Sequence, residues 1–436
     1  MSFENFLLED LAAPVKNAIV GGPFGSNLVS KDYVVSGVPV IRGQNMGEKW
    51  VSGSFVFVSP EKARQLEQNK ARPGDVVFTQ RGTLGQVSIV PASPYAEYVV
   101  SQSQMKITLD PNKADAGFIY YLFKSEHQLR YILNSAIQTG VPHTNLGILR
   151  KTPVTVPSLK AQKSIAGVLC ALDDRITLLR ETNATLEAIA QALFKSWFID
   201  FDPVRAKAEG LEPEGLEAAT AALFPDSFEE SELGLVPRGW MVRSLDSIAN
   251  YLNGLAMQKF PPTDDGWLPV IKIAQLRKGN TVGADRAGRN IKTEYIIQNG
   301  DVLFSWSGSL EVVIWCGGEG ALNQHLFKVT SKDFPKWFYY LWTRQHLTDF
   351  QQTAASKATT MGHIQRKHLT EAKVVVPPAE MLRSAGVLIE PLLERWLVNA
   401  EKAQTLTQLR DTLLPRLISG LLRLPEAEVM IEEVCA

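Results

Sequence analysis

Apolar residues fall into two textures along the chain. In the first, short runs rich in Val, Ile, Phe and Trp lie at 76–78, 87–90, 302–306 and 312–315, bounded by Gly and Pro. Such runs predict buried β-strands, because a strand covered on both faces needs no polar alternation. Gly74-Asp75 and Gly300-Asp301 precede two of the runs and suit turns, since glycine tolerates positive φ. The stretches 118–133 and 336–351 follow turn residues and predict helices. The second texture occupies 165–197. There apolar residues recur at 165, 168, 172, 176, 179, 186, 189/190, 193 and 197, with Asn183 interrupting the series. Steps of three and four place them on one stripe of a helix. Two successive fours, 168 to 172 to 176, look like a stutter in a heptad pattern. Leu392, Trp396, Ala403, Leu406, Leu413 and Leu417 show the same phase in a second segment. Both segments start just after a proline, Pro157 or Pro377, and about 40 residues at 1.5 Å each make helices of roughly 60 Å. A helix that long needs a partner for its stripe. The other segment is the nearest candidate, and an antiparallel pair is preferred over two helices each packed on its own block.

The pattern also repeats. Val38-Pro39-Val40-Ile41 returns as Leu268-Pro269-Val270-Ile271, and Gly74–Thr79 as Gly300–Ser305. Ser101-Gln102-Ser103-Gln104-Met105-Lys106-Ile107 pairs with Asn323-Gln324-His325-Leu326-Phe327-Lys328-Val329. Tyr120-Tyr121-Leu122 pairs with Tyr339-Tyr340-Leu341, His143 with His363, and Val156-Pro157 with Val376-Pro377. The order is kept and the period stays near 220, so the chain reads as two copies of one unit. Each copy is an α/β block followed by a helical segment. The blocks span 1–157 and 235–377, and the helices 158–200 and 378–421. An acidic, partly helical linker at 201–234 and a frayed acidic tail at 422–436 complete the division.

The 436 residues carry 45 Lys and Arg against 46 Asp and Glu, but the near-neutral total hides a segregation. The two blocks are net +3 and +6, and the connectors together are net −10. Basic blocks are a possible footprint for a polyanion. Neither an apolar stretch long enough to span a membrane nor a basic-then-apolar leader is present, and Cys170, Cys316 and Cys435 stand far apart. These features point to a cytoplasmic chain without disulfides. Enzyme motifs are missing. Gly21-Gly22-Pro23-Phe24-Gly25-Ser26 lacks the lysine of a phosphate loop, and His363 and His368 are poorly spaced for a metal. No adenine-gripping Asp/Asn-Pro-Pro-Tyr/Phe tetrapeptide occurs. The chain is therefore expected not to be an enzyme and to hold no metal or cofactor.

Two related basic blocks on a long helical spacer suit duplex DNA read at two separated places. Because the blocks differ in sequence, the target would be split and asymmetric. A family resemblance sharpens this. Ile19-Val20-Gly21-Gly22-Pro23-Phe24-Gly25-Ser26-Asn27-Leu28, continuing through Asp32-Tyr33 and Gly37–Gly43, resembles the opening of a target-recognition domain in the specificity subunit of Type I restriction–modification systems. The Gly-Asp-Val strands, Val156-Pro157 running into 162–176, and Val236-Pro237-Arg238-Gly239-Trp240 are similar to the same family. The second block departs from it, having only Gly254-Leu255-Ala256-Met257-Gln258-Lys259-Phe260 where the first has Gly-Pro-Phe-Gly-Ser. The resemblance implies two tandem, pseudo-twofold-related target-recognition domains, each followed by a long helix, the helices pairing as an antiparallel coiled coil. It also implies a non-catalytic subunit whose helices set the spacing between half-sites and dock two modification (methyltransferase) subunits. Restriction (motor-nuclease) subunits complete the complex. S-adenosylmethionine, ATP and Mg would belong to those partners.

Base readout uses paired donors and acceptors, mainly Arg on guanine and Asn or Gln on adenine. Candidates flank the strand motifs. In the first block they are Arg42, Gln44, Asn45, Gln80, Arg81, Gln102, His143, Thr144 and Asn145. In the second they are Lys272, Gln275, Arg277, Trp306, Ser307, Gln324, His325, His363, Gln365, Arg366 and Lys367. The Lys and Arg side chains suit phosphates, which position without specifying. Gln102 and Gln324 could instead tie down backbone within their own domains, and Trp306 could be core. Two alternatives stay open: a lone repressor with split half-sites, and a protein-interaction scaffold.

Overall fold

The computed structural model describes residues 2–138, 140–263, 266–356 and 362–435. The chain forms two compact units, one of Met1–Arg175 with Thr405–Ala436 and one of Ile176–Gln404.

The first unit contains β1 (Phe3–Leu7), β2 (Ile19–Gly21), β3 (Tyr33–Val34), β4 (Val38–Ile41), β5 (Val56–Val58), β6 (Lys70–Ala71), β7 (Val76–Thr79), β8 (Val87–Ile89), β9 (Tyr98–Val100), β10 (Gln104–Ile107) and β11 (Pro153–Pro157). A four-stranded antiparallel sheet has the order β2-β10-β7-β8. A second sheet, β3-β5-β4-β9-β6, contains one parallel pair, β4 with β9. Strands β1 and β11 pair separately. All four residues of β7 are buried, which explains its unbroken apolar run.

The second unit repeats this plan. Its strands are β12 (Phe228–Ser231), β13 (Gly234–Pro237), β14 (Met241–Ser244), β15 (Asn250–Asn253), β16 (Trp267–Ile271), β17 (Arg286–Gly288), β18 (Ile296–Ile297), β19 (Val302–Ser305), β20 (Val312–Ile314), β21 (Gly320–Leu322), β22 (Leu326–Thr330) and β23 (Lys373–Val376). The order β15-β22-β19-β20 matches the first unit's four-stranded sheet, and β17-β16-β21-β18 matches β5-β4-β9-β6, again with one parallel pair, β16 with β21, but with no counterpart of β3 among the described residues. The repeated Gly-Asp motif has one job in both copies. Gly74 and Gly300 adopt φ of +87° and +84° in the turn, while Asp75 and Asp301 pair with the repeated lysines Lys106 (3.1 Å) and Lys328 (2.7 Å).

Two expected helices are each broken in two. The stretch 118–133 falls into Ala116–Lys124 and Glu126–Ser135, because Ser125 is extended and its hydroxyl accepts from the Gln128 amide. The stretch 336–351 falls into Lys336–Gln345 and Leu347–Ser356. At that break His346 bonds the Lys373 carbonyl (2.9 Å) and lies against Trp342 and Phe350. The linker holds two short helices, Asp202–Ala208 and Ala218–Ala222, and then the β12–β13 hairpin. The tail expected to fray is a helix, Leu424–Cys435, with Ala427 fully buried.

The long helices run over Leu159–Phe198 and Ala379–Ile418. On the first, Ile165, Leu169, Leu172, Ile176, Leu179 and Asn183 are all buried. Their steps of four and three form a regular heptad, so there is no stutter; Leu169, not Val168, occupies the seam. On the second helix Asn399, Ala403, Leu406, Leu413 and Leu417 are buried in the same phase. Within the first unit Arg410 pairs with Asp173 at 2.6 Å, and within the second the Asn183 amide donates to the Trp396 carbonyl at 2.9 Å. The partner index falls as the first rises, so the pairing is antiparallel. The repeated Tyr-Tyr-Leu, on the helices Ala116–Lys124 and Lys336–Gln345, ties each of those helices to the first long helix: the Tyr121 hydroxyl donates to Asp173 (2.5 Å) and the Tyr340 hydroxyl to Glu187 (3.2 Å).

Candidate nucleic-acid interface

Strand topology gathers the predicted loops of the first unit in one place. Strands β4 and β9 are parallel, so their C-terminal ends emerge side by side, and the Ser101 amide bonds the Ile41 carbonyl (3.0 Å). Strand β10 runs antiparallel to β7, which sets Gln104 opposite Thr79. Residues 80–81 therefore meet 101–103, with the Gln80 amide on the Ser103 carbonyl at 2.7 Å. The loop at 143–145 closes the junction: the Thr144 amide bonds the Gln80 carbonyl (2.9 Å), and Arg81 and His143 form a bridge.

The second unit builds the same junction. The Asn323 amide reaches the Ile271 carbonyl (3.4 Å), the Trp306 amide the His325 carbonyl (3.3 Å), and the Ile364 amide the Trp306 carbonyl (3.0 Å). Ser307 bridges His363 as Arg81 bridges His143. The departure in the opening loop leaves its anchor intact. Gly22 and Gly254 donate to the Gln104 and Leu326 carbonyls at 2.9 and 3.0 Å. A Cβ at either would meet backbone oxygen, Ser101 at 1.9 Å or Asn323 at 2.2 Å, so only glycine allows this approach.

The candidates divide by what their side chains already do. Asn45 is 1% exposed and spends its amide on the loop, accepting from the Arg42 amide and donating to the Ser52 and Ser54 carbonyls. Gln275 is buried and accepts from the Lys272 amide in the same way. Asn145 caps the helix Leu146–Arg150, and Thr144 and Ser307 are buried. Gln102 donates to the Gly25 and Leu28 carbonyls, tying one loop to another. Gln44 donates to the Ser54 carbonyl. Lys272 pairs with Asp285, and Arg277 with Glu311 at 3.2 Å. Arg366 bonds the Tyr251 carbonyl and lies over the Phe327 ring. Arg42 is half-buried and Gln365 starts the helix Arg366–Glu371 from an exposed position.

Arg81 and Lys367 are exposed and form no ion pair among the described residues, and Gln80 and His143 are half-buried beside Arg81. In the second unit the corresponding surface is aromatic. Trp306 is half-buried, donates to Asn253 Oδ1 (2.9 Å), and neighbours the rings of His325 and His363. His325 Nδ1 lies 3.0 Å from the Ser307 hydroxyl, and its Nε2 lies 3.3 Å from Gln324 Nε2. The same backbone junction thus presents Gln80, the Arg81 guanidinium and one imidazole, His143, in one unit, and the Trp306 indole with two imidazoles, His325 and His363, and Gln324 in the other. Phe24 was not among the candidates, although it is exposed in the loop that Gln102 holds.

The chain resembles Type I specificity subunits along nearly its whole length. It is 26% identical to the Type I restriction enzyme HindI specificity subunit of Haemophilus influenzae, over 91% of this chain and 97% of the relative. It is 24% identical to the MjaIX specificity subunit of Methanocaldococcus jannaschii, over 94% and 92%. The fold matches the crystal structure of a Type I restriction–modification S subunit from M. genitalium with a TM-score of 0.59 at 16% identity, covering 95% of this chain and 96% of that one. The model of the family described as "Type I restriction modification DNA specificity domain" matches twice, at residues 30–188 and 237–411. Those matches cover most of the two repeated sheet plans and of the long helices that follow them, and the chain belongs to that family.

Proposed function

We propose that this chain is the non-catalytic subunit that gives a Type I restriction–modification complex its DNA sequence specificity, each unit reading one half of a bipartite, asymmetric target. The observation that carries this is the four-loop junction, made twice on the same backbone bonds but with different side chains. Equal scaffolds with unequal reading groups suit two unlike half-sites. The long helices set the gap between the halves and dock two methyltransferase subunits, to which motor-nuclease subunits add. S-adenosylmethionine, ATP and Mg act in those partners, in the cytoplasm. Among the described residues no helix is long and apolar enough to cross a membrane.

The test is methylation mapping by single-molecule sequencing of DNA from cells expressing this chain with the methyltransferase of its own system. A split motif with a methyladenine in each half is expected. A continuous or symmetric motif would contradict the two-reader assignment, and an absence of new methylation would contradict the specificity role.

A further inference from the structure

We propose that Phe24 is an apolar DNA contact of the first unit, its ring seated against bases of the first half-site. The inference rests on the DNA-reading function proposed above. Phe24 is 79% exposed, in contrast to the buried aromatic residues of the core. Its support is rigid on both sides. Before it, Gly22 is pressed onto the Ser101 carbonyl and bonded to Gln104, and Pro23 fixes its own φ. After it, Gly25 takes a φ of +57°, and its carbonyl accepts from Gln102 Nε2 at 2.6 Å. Gln102 also holds the Leu28 carbonyl at 3.0 Å. Both flanks of the ring are therefore tied to 101–104, the segment that bonds the backbone of Gln80 and Arg81.

A preorganised, uncovered aromatic ring, on a loop tied to the segment that also bonds the backbone of Gln80 and Arg81, suits the interior of a DNA groove. Thymine methyls and the faces of partly unstacked bases offer apolar contact there, whereas the phosphates outside do not. The surrounding block is net positive, which suits a polyanion such as DNA. Among the described residues the second unit shows no exposed ring at the corresponding stretch. Gly254 takes the place of Gly22, but Leu255, Ala256 and Met257 follow it, and Met257 is buried. The contact is therefore confined to one half-site.

The test uses the full chain co-expressed with its methyltransferase, and duplexes carrying the mapped target with either half scrambled. Phe24→Ala should weaken binding to the intact target about tenfold. The slope of log affinity against log salt should not change, because an apolar contact releases no counterions. The loss should persist with the second half scrambled and vanish with the first half scrambled, and Phe24→Leu should recover part of it. Unchanged affinity, an altered salt slope, a loss that survives scrambling of the first half, or weakened methyltransferase association would overturn the contact alone. Failure of the unaltered complex to bind any sequence specifically would overturn the contact and the proposed function together.

Discussion

Arg81 and His346 show how differently two polar side chains of this fold are used. Arg81 projects from the junction with no ion pair among the described residues, so its removal costs the fold little. Arg81→Ala is expected to leave the melting temperature unchanged and to weaken or relax recognition of one half-site only. If the guanidinium sits on a phosphate, the salt slope falls by about one. Equal loss at both halves would contradict the two-reader assignment. His346 is enclosed between Trp342 and Phe350, and desolvation pushes its imidazole below the ordinary value of 6.5, against the opposing pull of the Lys373 carbonyl and Asp349. The unfolded chain then binds more protons than the folded one as pH falls. The stabilisation is complete above the unfolded value near 6.5 and is lost as pH drops through the lower folded value. Denaturant unfolding between pH 7 and 5 should therefore show falling stability, and His346→Gln should flatten that slope. An undiminished slope in the variant would assign the effect elsewhere.

At the scale of elements, the seam of the long helices holds two buried asparagines. Asn183 donates to Trp396 but leaves its Oδ1 unpaired, and Asn399 leaves its Nδ2 unpaired. A polar residue in a heptad seam fixes register at a cost in stability. Asn183→Leu should thus stabilise the chain by about 1 kcal/mol, read as a raised denaturation midpoint; a lowered midpoint would show that the amide is a net support. The seam also shows what the sequence could convey. Its period and length follow from apolar spacing, and the antiparallel pairing from the two-copy organisation of the chain, since spacing alone does not set direction. The spacing suggests a stutter only because Val168 and Leu169 are both apolar, and two adjacent apolar residues leave the phase open by one position. The helix breaks were hidden because Ser125 acts through a local cap and His346 through a bond to a residue 27 positions away. The candidate loops were legible as groups, because repeated motifs mark strand ends. Individual roles were not: an asparagine such as Asn45 suits a base and a backbone equally well, and only its burial shows which it serves. Phe24 stood in the most distinctive motif of the sequence, yet exposure is a property of the fold and not of the motif.

For the whole molecule, the proposed link between helix length and target spacing can be tested without knowing the bases. The regular heptad means that seven residues can be added to both helices while every seam residue keeps its phase. An insertion at 177–190, matched on the facing stretch of the second helix, lengthens the pair by about 10 Å at 1.5 Å per residue. At about 3.4 Å per base pair this corresponds to roughly three base pairs. The reading loops are untouched, so methylation mapping should return the same two half-sites separated by a gap longer by that amount. Adding the heptad to one helix only should instead disrupt the seam and reduce methylation at both gaps. Unchanged half-sites with an unchanged gap would mean that something other than the helices fixes the spacing. Changed half-sites would mean that the loops do not read bases independently of the helices, and that specificity is a property of the assembled pair.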